Sequence, residues 1–315
     1  MKRLDSPSAL AELAPGIALA AGFFDGVHLG HQAILAETCA RARAEGSQAW
    51  VLTFEPHPLA VLAPERRPPL LTRLDLRLER LAETGVDGCL LLPFTPALAA
   101  LSAADFVRDV FGAWMDGSRR CTVVSGENWH FGHGGAGVLS TIAEASGGRI
   151  RTARVPMVAR DGERVSSSAI RQAILAGDLP KAAAMLGRPY AVRERTAPGR
   201  GVGRKLGFAT ANLHPVAEVL PPVGVYAVAV SRRCHPEQGW MDGVANLGFR
   251  PTFADAGRGA PVLEVHILDF VAEGLRDETL DVRFLRRLRD EIAFESPEAL
   301  ARQIERDIEA ARSRR

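Results

Sequence analysis

Two histidines, His28 and His31, stand three residues apart behind the glycine-punctuated run Gly22-Phe23-Phe24-Asp25-Gly26. A short apolar stretch, Ile17 to Ala21, comes before them, and alanine and leucine recur at helical spacing over Gln32 to Ala44. A strand that turns through glycines into a helix aims backbone N–H groups and the positive helix end at one point, which suits phosphate. Imidazoles in the first helical turn add two donors facing the same anion. Gly30 between them lets a phosphate approach the backbone. Nucleotidyl transfer needs such partners for an α-phosphate as charge spreads in an in-line transition state, and needs little covalent chemistry. A zinc pair and two surface histidines are the competing accounts. Zinc would want more His, Cys or carboxylate at ligand spacing, and none is nearby in sequence. Taken with Gly22 and Asp25, the spacing favours nucleotidyl transfer.

Two further groupings carry chemistry. Ser167 and Ser168 cap a short helix with Arg171 within a turn of them, a second anion site suited to β- and γ-phosphates. An ordinary capped helix with a solvated arginine explains the same residues, and on their own is the better account. In Val262-Leu263-Glu264-Val265-His266-Ile267 alternation puts Glu264 and His266 on one face of a strand. A carboxylate there, close to a bound nucleotide, can take the proton of an attacking hydroxyl; a solvated strand carboxylate is the alternative. His266 reads as structural.

These residues need elements to hold them. At 315 residues the chain has room for two domains with their own cores. Hydrophobic content of 47% with 24% charged residues is that of a globular protein. A formal net charge of +2 argues against nucleic-acid or membrane partners. The arginines at 286–289 and in the C-terminal Arg-Ser-Arg-Arg have acidic residues interspersed and read as solvated faces. The four cysteines are scattered without C-x-x-C pairs, so disulfides and structural zinc are not expected. No apolar run reaches a membrane span, and Asp5 and Glu12 interrupt any signal-like core. A cytoplasmic setting is the expectation.

Five β-prone runs, Ile17–Ala21, Gln48–Phe54, Gly88–Leu92, Cys121–Ser125 and Ile150–Val155, alternate with helical patterns, which predicts βαβ units and a parallel sheet. A ligand then belongs at the carboxyl ends of the strands, where the histidine motif falls. Pro56–Pro69 reads as a loop over that edge. Helices are expected over Ser167–Leu175 and Leu179–Leu186, closing a first domain at 1–187. Beyond Gly187 the character changes, and 188–315 forms a second domain. Val225–Ser231, Met241–Asn246, Val262–Phe270 and Thr279–Leu285 are short strands without helices between them, the pattern of an antiparallel barrel. One amphipathic helix opened by Ser296 and Pro297 ends the chain, with Leu300, Ile304 and Ile308 on one stripe.

Several motifs, taken together and in order, resemble one family. Gly22 to His31 is followed by Thr53-Phe54-Glu55-Pro56-His57-Pro58, then Gly126-Glu127-Asn128-Trp129-His130-Phe131-Gly132, then Val165-Ser166-Ser167-Ser168-Ala169-Ile170-Arg171. Leu206-Gly207-Phe208-Ala209-Thr210-Ala211-Asn212, Gly243 to Gly248 and Arg250-Pro251-Thr252 come later. The chain resembles the bacterial bifunctional riboflavin kinase/FMN adenylyltransferases, from about Gly16 to Ile308. The resemblance implies a Rossmann-like nucleotidyltransferase domain and an antiparallel β-barrel kinase domain with a terminal helix. It implies phosphorylation of riboflavin to FMN, then adenylylation of FMN to FAD with release of pyrophosphate.

Residue by residue, the resemblance implies His28 and His31 as catalytic, and Gly22, Phe24, Asp25, Gly30, His57, Ser167 and Arg171 as ATP-binding. For His57 a surface histidine is as good an account. Asn128 is implied as flavin-binding, a neutral donor and acceptor matching one flavin edge, with Trp129 or Phe131 covering the ring; two core aromatics are the alternative. In the kinase module it implies Gly203, Lys205, Thr210 and Asn212 around the nucleotide, Thr210 and Asn212 also on Mg2+, and Glu264 as base for the ribityl 5′-hydroxyl. A hydroxyl and an amide carbonyl at alternate positions point the same way, oxygen ligation suited to Mg2+. The family usually has Pro where Ala209 stands, and Arg200 and Val202 replace its common flap aspartate and arginine. Riboflavin, FMN, FAD, ATP and ADP are the implied partners, with the oligomeric state open between monomer and weak oligomer.

Overall fold

A computed structural model describes residues 1–11, 16–115, 118–198, 210–215, 217–249, 260–270, 275 and 277–312. Two compact units emerge: 1–69 with 74–166, and 70–73 with 167–315.

The first unit opens with β1 (Lys2–Leu4), α1 (Pro7–Ala11), β2 (Gly16–Ala21), α2 (Leu29–Glu45), β3 (Gln48–Glu55) and α3 (Pro58–Leu62). It continues through α4 (Leu74–Ala82), β4 (Gly88–Pro93), α5 (Pro96–Ala100), α6 (Ala103–Phe111), β5 (Arg120–Gly126), α7 (Leu139–Ala145) and β6 (Ile150–Val155). The small hairpin β7 (Ala159–Arg160) and β8 (Glu163–Arg164) follows. β1 to β6 form one parallel sheet in the order β1-β4-β3-β2-β5-β6. Every residue of β2 is buried, as a central parallel strand covered on both faces requires. Ile17, Leu19 and Ala21 join Trp50, Leu52, Phe106 and Phe111 on one face. Ala18 and Ala20 join Ile34, Leu35 and Cys39 of α2 on the other. The small residues on that second face let α2 lie close to the sheet, so its N-terminus is set directly above the end of β2.

The five expected strands are present, each at most a residue longer at an end. β1 is an addition that Lys2-Arg3-Leu4 does not advertise, because a short charged edge strand has no apolar periodicity to read. The segment 56–69 is a correction: it is not all loop. Pro58 occupies the first turn of α3, capped by the His57 Nδ1 accepting from Leu59 N at 3.0 Å, a position proline tolerates because its missing N–H is unpaired there anyway. A 3-10 turn over Pro64–Arg66 follows.

The second unit comprises α8 (Ser167–Leu175), α9 (Leu179–Leu186), β9 (Ala191–Arg195), β10 (Thr210–Leu213), β11 (Gly224–Arg232), β12 (Met241–Phe249), β13 (Pro261–Ile267), β14 (Thr279–Arg289) and α10 (Pro297–Arg312). Helices α8 and α9 keep the bounds expected for them and belong to this unit. The strands form an antiparallel sheet in the order β10-β13-β12-β11-β14-β9. Ala197, just past β9, bridges Asn212 of β10 (N···O 2.8 Å), so the two ends of the order meet and the sheet curls on itself as a barrel does.

β9 and β14 are locked by a buried bidentate pair. Arg193 Nε and Nη2 donate to Asp281 Oδ1 and Oδ2 at 2.5 and 2.7 Å, and the two residues face each other in register. Breaking such a pair strands a buried charge. Asp281→Asn is therefore expected to cost about 3–5 kcal/mol, seen as a lower urea midpoint for this unit's unfolding.

Candidate active sites

At the end of β2 the chain leaves the sheet through Gly22, whose N–H donates to Leu52 O at 3.1 Å. Phe24 (φ 59°) and Val27 (φ 39°) both hold positive φ, although neither is glycine, and both side chains are buried. Such backbone costs of order 1–3 kcal/mol per residue and persists where the surroundings over-determine it. Here it turns the chain sharply enough to bring His28 to the N-cap of α2. The His28 Nδ1 accepts from His31 N at 3.3 Å. With Nδ1 accepting, the proton of the neutral ring sits on Nε2, a donor. The His28 and His31 rings stack at 3.6 Å between centroids. Gly30 relieves crowding here: a Cβ there would lie 3.1 Å from His28 Cε1, a tight contact.

His28, Gly30 and His31 line a cleft with Gly22, Phe24 and Asn128. It opens at the carboxyl ends of β2, β5 and β6. β2 pairs with β3 on one side and β5 on the other, so this is the point where the strand order reverses, the usual ligand crevice of such sheets. Asn128 is exposed, with its Nδ2 3.7 Å from Met157 Sδ. Trp129 lines the same cleft and stacks on Phe131 at 4.8 Å, while Phe131 belongs to the core.

The structure places Asp25 and His57 beside this cleft rather than in its lining. Asp25 is buried at 2% exposure. His57 meets the Phe23 ring edge-on at 4.4 Å. Ser167 and Arg171 fall on the first turns of α8, half-buried, and are grouped with the second unit.

Sequence reasoning missed Arg77. Fully buried on α4, it lies over the Phe23 ring at 4.3 Å and donates through Nη2 to Phe54 O (3.0 Å) and Glu55 Oε2 (2.6 Å). Thr53 Oγ1 donates to Phe23 O at 2.9 Å. These bonds tie the Thr53–His57 segment to Gly22–Asp25. Burial lowers the Arg77 pKa, with Glu55 and then Asp25 opposing the shift. An arginine among leucines on an amphipathic helix carries no signal of burial.

In the second unit, antiparallel register gathers the predicted kinase residues. Thr210 faces His266, and Asn212 and Asn246 flank Glu264 on either side. Directly opposed residues share a sheet face, about 4.5–5.5 Å apart at Cβ. Thr210, Asn246, Glu264 and His266 line a pocket between that face and Leu300 and Ile304 of α10. Asn212 is buried at 5% exposure and is not in the lining. α10 is held there by Arg289, whose Nη2 donates to Asp307 Oδ2 at 2.8 Å. Asn246 Nδ2 donates to Glu291 Oε1 at 3.0 Å; the pocket role of Glu291 has no signal in sequence. Gly203 and Lys205 lie outside the described residues, as do Leu206–Ala209, Arg200, Val202 and 250–252.

Comparison with known proteins follows this division. Residues 11–169 match the family described as FAD synthetase, and residues 186–314 match riboflavin kinase. The chain belongs to the bifunctional riboflavin kinase/FMN adenylyltransferase family. A protein of that name from Pseudomonas fluorescens is 40% identical, covering 93% of this chain and 91% of its own. That from Escherichia coli K12 is 37% identical (94% and 92% covered), and that from Bacillus subtilis 31% (93% and 90%). A crystal structure described as a macrolide-efflux protein from Streptococcus pneumoniae superposes with a TM-score of 0.82 at 28% identity over 99% of each chain. That likeness is one of fold, and among the described residues no helix is long and apolar enough to cross a membrane. Within the riboflavin kinase/FMN adenylyltransferase family, the cleft at His28 lies in the FAD synthetase portion and the pocket at Glu264 in the riboflavin kinase portion.

Proposed function

We propose that this enzyme runs its two reactions at the two sites described, FMN adenylylation at His28 and His31 and riboflavin phosphorylation at Glu264. The stacked histidines at the N-terminus of α2, in one cleft with Asn128, carry the first assignment. An FMN phosphate oxygen attacks the α-phosphorus of ATP, the bridging α–β oxygen bond breaks, and pyrophosphate leaves. The imidazole N–H groups and the helix end face the oxygens on which charge builds. Gly22, Phe24, Asp25, Gly30, His57, Ser167 and Arg171 are assigned to ATP, and Asn128 to the flavin edge. Arg77 positions the His57 segment without touching substrate.

At the second site the riboflavin 5′-hydroxyl attacks the γ-phosphorus of another ATP, Glu264 takes its proton, and ADP leaves. The hydroxyl of Thr210 and the amide of Asn212 are hard oxygen donors two residues apart on the Glu264 face, a set that fits Mg2+. When bound, the ion would offset charge on the transferred phosphoryl group. Gly203 and Lys205 are assigned to the phosphates. The transferase is taken as 1–187 and the kinase as 188–315. A cytoplasmic setting, where ATP is at hand, suits a chain whose four cysteines are all free.

Asn128→Ala tests the flavin assignment. Losing one hydrogen bond worth about 1–1.5 kcal/mol is expected to raise KM for FMN roughly tenfold in FAD formation and to leave FMN formation alone. An unchanged KM would remove Asn128 from the site.

A further inference from the structure

Among the described residues one cluster of metal-ligating side chains lies away from both sites. β11 ends at Arg232, and the chain turns through Cys234 and His235 into the 3-10 turn Pro236–Gln238. Arg233 N donates to Thr279 O at 3.0 Å and His235 N to Arg232 O at 3.1 Å. These bonds hold the turn over the start of β14. The Cys234 sulfur, a His235 ring nitrogen and a Glu278 carboxylate oxygen all lie within 4.8 Å of one another.

Ligands at tetrahedral Zn–S, Zn–N and Zn–O lengths sit roughly 3.3–3.8 Å apart. The gap from 4.8 Å closes with small rotations of the exposed Cys234 and the part-exposed His235 toward Glu278, which Arg232 holds in place. The surroundings already orient two of the donors. Arg232 donates to both Glu278 carboxylate oxygens, through Nε to Oε2 at 2.8 Å and through Nη2 to Oε1, which leaves each oxygen a second lone pair; Arg232 itself lies against the Phe270 ring, and Thr196 Oγ1 accepts from Glu278 N at 3.0 Å. Glu237 Oε1 lies 3.1 Å from His235 Nδ1. An ionised carboxylate only accepts, so Nδ1 donates and Nε2 keeps its lone pair. Carboxylates and imidazoles held by outer hydrogen bonds in this way are the usual state of metal ligands.

We propose that Cys234, His235 and Glu278 form a site for a thiophilic divalent cation, Zn2+ or its analogue Cd2+, that pins the β11 turn to the start of β14. One sulfur, one nitrogen and one oxygen donor suit such an ion and not Mg2+, which prefers oxygen alone. The fourth position faces solvent. Binding displaces the thiol proton, which passes to water.

The test is a titration of the full, metal-stripped chain with Cd2+, read by the ultraviolet thiolate-to-metal charge-transfer band. Cys39, Cys89 and Cys121 are buried, and burial pushes the Cys89 thiol up to about 12, so they stay silent. A thiol reagent should accordingly find one cysteine in the native chain and all four after denaturation. One Cd2+ per chain is expected, competed by Zn2+. Cys234→Ser should abolish the band, and His235→Asn should weaken binding by about tenfold or more. No band, or a band that His235→Asn leaves unchanged because a surface thiol alone is responsible, overturns the proposal.

Discussion

Glu264→Gln cuts FMN formation from riboflavin by orders of magnitude while FAD formation from supplied FMN continues: that is the largest effect expected of a single change in this chain. Glutamine keeps the shape of the side chain between Asn212 and Asn246 and its capacity to hydrogen-bond, but cannot take a proton. General-base catalysis contributes about 10²–10⁴-fold, so kcat for phosphorylation should fall by that factor with KM for riboflavin little changed. The spared transferase shows that the first unit is intact, and an unchanged urea midpoint for the second unit's unfolding shows that the kinase unit still folds. Unchanged phosphorylation would show that the proton goes elsewhere.

The second large effect is the mirror image. His28 caps α2 through Nδ1 and lines the cleft, and the cap separates by substitution from the Nε2–H donor role proposed for it. Asn is a good N-cap, so His28→Asn keeps the acceptor for His31 N and loses the donor proposed to reach substrate. FAD formation should fall about 10²–10³-fold, the range for removing one donor to developing charge. FMN made from riboflavin should then accumulate. His28→Ala adds the loss of the cap, about 1 kcal/mol. Equal stability of His28→Asn and the parent with intact FAD synthesis would leave His28 a structural cap.

Much of the scaffold could be read from residue order because its physics is local. β2, β3, β4 and β5 are buried on both faces and so appear as unbroken apolar runs. His28 and His31 were legible for the same reason, since a helix start fixes their spacing. What stayed hidden depends on partners distant in sequence. β9 shows no strand pattern in sequence because Arg193 finds its counter-charge in Asp281, on the far strand β14. Arg77 carries no signal of burial because its acceptors, Phe54 O and Glu55, lie on another element. Asn246 and Glu291 meet only once β12 and the chain beyond β14 are folded. The Cys234 cluster likewise joins a turn to a strand far along the chain. Proline misled once: Pro58 reads as a breaker and is the first turn of α3.

The most direct test of two reactions at two sites follows label from ATP into flavin. Riboflavin is incubated with the enzyme and ATP labelled at either the α- or the γ-phosphorus, and the products are separated by chromatography. Successive transfer predicts γ-label in both FMN and FAD, and α-label in FAD alone. Glu264→Gln should lose all label from riboflavin, and His28→Asn should keep the γ-label in FMN while losing the α-label. Flavin that takes up neither label, or α-label appearing in FAD at parent levels in the His28→Asn chain, contradicts the account.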